Sequence, residues 1–158
     1  MTQEARSIYT SRITNANATG IIDILFDMLF DDLADSEKAA EIKDFDALRE
    51  SISHGKLVLS HLKDALDFKY ELSYQLYPLY TFAQNSMEKT FFRGDPKGIN
   101  DAKKVISPLR DAFKEIAKND NSPKVMQHTE NMVAGMTYGR NDLNMTDASY
   151  DRNRGFTA

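Results

Sequence analysis

The sequence contains no cysteine among its 158 residues. That excludes disulfides, zinc fingers, thiolate-bound iron–sulfur centres and a thiol nucleophile. Tryptophan is absent too, and only seven glycines and four prolines occur, mostly at segment edges. No apolar run approaches the roughly 18–20 residues of a membrane span. Residues 1–10 carry Glu4 and Arg6 and no apolar stretch of secretory length, so the expectation is a soluble cytoplasmic chain. Positive charge is also short. Lys and Arg total 20 against 24 Asp and Glu, a net charge of −4. An acidic balance argues against affinity for nucleic acid and against docking on anionic lipid.

What remains is a chain long enough for one domain with its own core. Apolar residues recur at helical spacing nearly everywhere, and no stretch alternates with period two over a strand's length. The pattern predicts an all-α protein, an antiparallel up-down four-helix bundle with a short N-terminal arm or helix. The bundle is expected over residues 1–134 with the arm at 1–16, a weak extra helix over 123–133, and a polar tail over 135–158 that lacks a core-forming pattern.

The arm carries Ile8, Tyr9 and Ile13. The first long helix is expected after an Asn17 N-cap. The next follows Asp46, with Leu48, Ile52, Gly55, Leu59, Leu62 and Leu66 at alternating steps of three and four. A tight joint is placed at 67–69. The third long helix, 70–92, contains Pro78, which removes a backbone hydrogen bond. Arg93-Gly94-Asp95-Pro96 reads as a stop and turn, and the fourth helix, about 98–118, contains Pro108.

Catalytic chemistry finds little support. Ferritin-like bundles place Glu-x-x-His motifs on facing helices. The nearest match, Glu50 with His54, is one residue too long and has no second copy. His54 and His61 are too few ligands for a catalytic metal and read as helix-surface histidines. Ser53-His54 and Ser60-His61 are sequence neighbours, which do not face each other on a helix. Asp23, Asp27 and Asp31 recur every fourth residue and read as a solvated stripe. No Gly-rich phosphate loop is present. Neither an enzyme nor a cofactor-binding protein is expected.

The unusual feature lies between Ile21 and Leu33, where nine of thirteen residues are large and apolar. A helix buried on one side of a bundle needs an apolar arc only somewhat wider than about 100°. Four accounts are open: neighbours on several sides, coverage by the arm, burial in a homodimer, or a groove for another chain.

The order of short motifs resembles the flagellar secretion chaperone family FliS. It runs from Tyr9 and Ile13 through Ala16-Asn17-Ala18 and Ile21-Ile22-Asp23-Ile24-Leu25-Phe26-Asp27. It continues with Leu62-Lys63-Asp64-Ala65-Leu66-Asp67, Glu71-Leu72-Ser73 and Leu76-Tyr77-Pro78-Leu79-Tyr80, and ends at Ser107-Pro108-Leu109-Arg110-Asp111-Ala112-Phe113. The likeness covers about residues 8–118. Departures are Asn17-Ala18 where the family has Ser-Pro or Thr-Pro, Phe26 for a tyrosine, and Phe82 for a second tyrosine.

The resemblance implies a cytoplasmic export chaperone that holds the disordered C-terminal segment of flagellin, prevents premature polymerisation and meets components of the export gate. On that reading Ile22, Leu25, Phe26 and Leu29, with Leu72, Leu76, Leu79 and Tyr80, are expected to bind the client. Ile8, Tyr9 and Ile13 become a removable lid. The rival expectations are a helical adaptor in another secretion system and a metal-binding four-helix bundle.

Overall fold

A computed structural model describes residues 3–126. Five helices follow one another: α1 (Gln3–Thr14), α2 (Ala18–Glu41), α3 (Phe45–Asp64), α4 (Glu71–Arg93) and α5 (Lys97–Asn119). Described residues outside them form joints and turns, with no strand among them. The all-α bundle expected from the spacing is the fold observed.

Local chemistry sets the ends. The Asn17 side chain caps α2 by accepting from Gly20 N at 2.9 Å. Asp44 caps α3 by accepting from Ala47 N at 3.0 Å. Gly94 ends α4 in the left-handed conformation, φ 69°, where a side chain is disfavoured. The joint from α3 to α4 is longer than the expected 67–69, because Asp67 organises it. Its carboxylate accepts from Lys69 N, and its carbonyl accepts from Tyr70 N and Ser73 Oγ. Pro78 and Pro108 sit inside unbroken helices. Both are exposed, as are Tyr74 and Lys104 four residues earlier, whose carbonyls lose their donors and can turn to water.

The four long helices close into a ring. α2 packs on α3 and α5, and α4 completes the circuit between them. Ser36–Ser51 with Asp32–His54, Lys56–Glu88 with Lys63–Gln84, and Asp27–Arg110 with Glu37–Lys103 show α2–α3, α3–α4 and α2–α5 running antiparallel. The core is apolar and continuous from Phe26, Leu29 and Leu33 through Leu48, Leu59 and Leu62 to Tyr80, Met87, Ile99 and Ile106. At its centre Phe26 stacks on Phe113 with centroids 5.4 Å apart and tilts against Tyr80 at 6.3 Å. α5 approaches α4 closely at Gly98, where a Cβ would lie 2.0 Å from the Ser86 carbonyl oxygen. Ile99 N next door donates to Thr90 Oγ1 at 3.1 Å.

A contact between two ionisable side chains also lies within the helix ring. Asp32 is 2% exposed and its carboxylate meets His54 Nδ1 at 2.6 Å. Burial lifts the Asp32 pKa from 3.8 to about 6, against the hydrogen bond and charge of His54, which pull it down. The expected surface histidine is thus a partner to a buried acid, while His61 is exposed. Asp32 could have been found, because it lies between Leu29, Leu33 and Ser36 on the core face of α2.

Residues 123–126, where the weak sixth helix was expected to begin, are not helical. Instead Val125 N donates back to the Ala16 carbonyl at 3.1 Å. The rest of that segment and the tail lie outside the described residues.

Candidate functional site

α2 has partners on three sides: α3, α5 and α1. The core face carries Leu25, Phe26, Leu29 and Leu33. The face under α1 is different. It is built from Gly20, Ile24, Asp27 and Asp31, with Asp23 beside them. Ile24 is buried there, outside the main core.

α1 lies antiparallel on this face and holds it with polar bonds. The Tyr9 hydroxyl donates to Asp31 Oδ2 at 2.5 Å, and Arg12 Nη2 donates to Asp27 Oδ2 at 2.7 Å. From the other side Arg110 Nη2 of α5 donates to Asp27 Oδ1 at 2.7 Å. The aspartate stripe is therefore not simply solvated; two of its members anchor neighbouring helices. Burial pushes the Asp27 pKa up, but the two arginine bonds outweigh it and hold the carboxyl below its ordinary value. Burial, the Asp31 hydrogen bond and the nearby carboxylates push the Tyr9 phenol far up, so it stays a donor.

The base of α1 is clasped by the chain leaving α5. Asn17 Nδ2 donates to the carbonyls of Asp120 and Ser122, Thr19 Oγ1 donates to Asp120 Oδ2 at 2.6 Å, and Lys124 Nζ reaches Asn15 Oδ1 at 2.7 Å. Its hydrogen bonds to Thr19 and Ser122 lower the Asp120 pKa. An open cleft of about 390 Å³ runs beside the clasp, between Arg12, Asp23, Ile24, Lys114 and Lys118.

The expected client residues divide by depth. Leu25, Phe26, Leu29, Leu76 and Tyr80 are buried. Ile22 and Leu79 are half-buried, and Leu72 is exposed. The structure brings Phe26 and Tyr80 together inside the core. Of the arm residues, Tyr9 is buried against α2, Ile13 is half-buried and Ile8 points outward, 54% exposed.

Large apolar side chains are exposed at both ends of the bundle, among them the aromatic flank Tyr74 and Tyr77 expected on the third long helix. At the α3–α4 end, Phe68, Tyr70, Tyr74 and Tyr77 join Leu72. Phe68 meets Tyr74 and Tyr77 edge-on at 5.1 and 6.0 Å, and the Lys63 ammonium lies 5.3 Å from the Tyr77 ring centroid. At the other end Ile42, Phe45 and Phe92 are exposed. Contiguous apolar surface beyond a few hundred Å² is uncommon on a monomer unless something binds it. The signal was present in the sequence: Tyr74 and Tyr77 flank the core stripe of α4, in line with Tyr70 at its N-cap.

Among the described residues no group of three or more His, Cys, Asp or Glu is placed to hold a metal ion. No helix among them is long and apolar enough to cross a membrane. The family model for the flagellar protein FliS matches residues 1–120. No curated protein matches the chain.

Proposed function

The chain belongs to the FliS family of flagellar proteins, and from that premise we propose that it is a cytoplasmic export chaperone whose client is the C-terminal segment of flagellin. The observation that carries this reading is apolar side chains exposed at opposite ends of the bundle, Phe68 to Tyr77 at one and Ile42, Phe45 and Phe92 at the other. Such spacing suits a segment that wraps the body better than a ligand that fills a pocket. α2 alone, 24 residues long, spans about 36 Å between those ends.

Binding of this kind follows from the chemistry of the client. An unfolded amphipathic segment loses apolar surface to the chaperone and pays ordering entropy, about 2–5 kcal/mol for a coupled-folding interface. The result is capture that the export gate can undo. Leu72 and Leu79, with Ile22, offer apolar anchors at the surface. Leu25, Phe26, Leu29, Leu76 and Tyr80 shape the bundle that presents them. α1 covers the Ile24 face in the absence of client and acts as the lid.

The deciding experiment is titration calorimetry of the full chain with a peptide of the flagellin C-terminal segment. The wild-type protein is expected to bind. The double variant Leu72→Asp, Tyr74→Asp is expected to bind at least about tenfold more weakly with an unchanged melting temperature, since charging two apolar anchors at an interface removes burial worth more than about 1.4 kcal/mol. Equal affinity would remove the α3–α4 end from the site. No binding by the wild-type protein would refute the client.

A further inference from the structure

Asp27 is held by two arginines with different attachments. Arg12 belongs to the arm and occupies Oδ2; Arg110 belongs to the ring of helices and occupies Oδ1. Arg110 does not depend on the arm for its position. Its guanidinium lies 4.5 Å from the centroid of the Phe30 ring, a cation–π contact made on α2 itself. It also has a donor in reserve. Its Nε is buried without a hydrogen-bond partner among the described residues. Nε and Nη2 form the side-on fork with which arginine takes both oxygens of a carboxylate.

We propose that Arg110 is a stand-by counter-ion that lets α1 leave α2 without stranding Asp27. When the arm swings out, Arg12 gives up Oδ2 and the idle Nε of Arg110 takes it, turning a single hydrogen bond into a bidentate pair. Asp31, the other anchor, is exposed and exchanges the Tyr9 hydroxyl for water. Neither anchor of the arm then leaves a buried charge unpaired, the event that makes removal of one partner from a buried pair expensive. The clasp on Asn15, Ala16 and Asn17 keeps the base of the arm attached. The arm opens as a tethered lid.

This regulation rests on the reading of α1 as a lid, but its first test needs no client. Hydrogen exchange of the full-length chain is followed by mass spectrometry over residues 3–14 and, separately, over α2 to α5. In Arg110→Gln the Asp27 carboxylate depends on Arg12 alone, and exchange of α1 is expected to slow roughly five- to tenfold, the worth of one strengthened charge-assisted bond. In Arg12→Gln exchange of α1 is expected to quicken while α2 to α5 and the melting temperature stay unchanged, because Arg110 still serves Asp27.

A merely structural arginine would behave otherwise. Unchanged or faster α1 exchange in Arg110→Gln would overturn the proposal. So would global destabilisation in Arg12→Gln, which serves as the independent check if the first variant folds poorly. Affinity for the flagellin peptide is then compared. Slower α1 exchange with weaker capture ties the device to the client. Slower α1 exchange in a protein that captures no flagellin would sink the client reading and leave the counter-ion role standing.

Discussion

α5 against α4 and α1 against α2 are two ways of holding a helix. Ile99, Ala102 and Ile106 of α5 are fully buried, and Gly98 brings backbone against backbone. α1 buries Tyr9 and otherwise holds by hydrogen bonds and ion pairs at a partly wet surface. Shape and apolar burial have no substitute in water, so α5 stays. Polar bonds at a surface exchange with water at little net cost, so α1 is held the less firmly. The proposed function would use both: a body that survives the loss of its client and a cover that yields to it.

The sharpest way to break the first kind of contact is Gly98→Ala. The added methyl would meet the Ser86 carbonyl and Thr90 Oγ1, neither of which ends a flexible chain. Unfolding in denaturant is expected to show a loss of roughly 3 kcal/mol or more, the upper end for overpacking. A near-neutral result would mean that α4 and α5 can slide apart, and would erase the contrast with α1.

The same contrast holds for polar contacts at two depths. His54→Ala takes away the bond to a buried Asp32 and is expected to destabilise by about 1–3 kcal/mol. The effect carries a pH signature. Because the folded pKa of Asp32 is raised above its ordinary value, the favourable protonated state is present at low pH and lost as pH rises through about 6. Without His54 the pKa climbs further, so the deficit of the variant should grow between pH 5 and pH 8. A deficit that shrinks with pH would reverse the assignment.

Tyr9→Phe removes a comparable bond at the arm and is expected to lower global stability by less than about 1 kcal/mol. Its readout is local: faster exchange over residues 3–14 with the bundle unchanged. If Tyr9→Phe lowered the melting temperature as much as His54→Ala, α1 would be part of the folding core rather than a cover.

Much of this was legible in the residues. Helical spacing placed the four long helices and left the first segment open between helix and arm; Asn17 announced the start of α2, and Gly94 marked the end of α4. The arm residue Tyr9 was singled out, although what it binds was not. Depth was not legible. Phe26 and Leu72 are both large apolar residues on apolar stripes, yet one is sealed between Phe113 and Tyr80 and the other stands in solvent. Spacing gives the face of a helix that is apolar, but only the neighbouring helices decide how much of that face is covered. Tyr74 and Tyr77 were legible as an aromatic flank of α4, but their exposure beside Phe68 and Tyr70 was not.

Local order therefore came from the chain itself. Period, caps and breakers act over a few residues and were fixed by side chains adjacent in sequence. The Asp27 junction came from the tertiary structure alone. It joins residues 12, 27 and 110, and no local rule could distinguish an aspartate shared by two arginines from its neighbours in the same stripe. Electrostatic partnership depends on distance in space, and the closing of the helix ring, with the arm laid across it, set that distance.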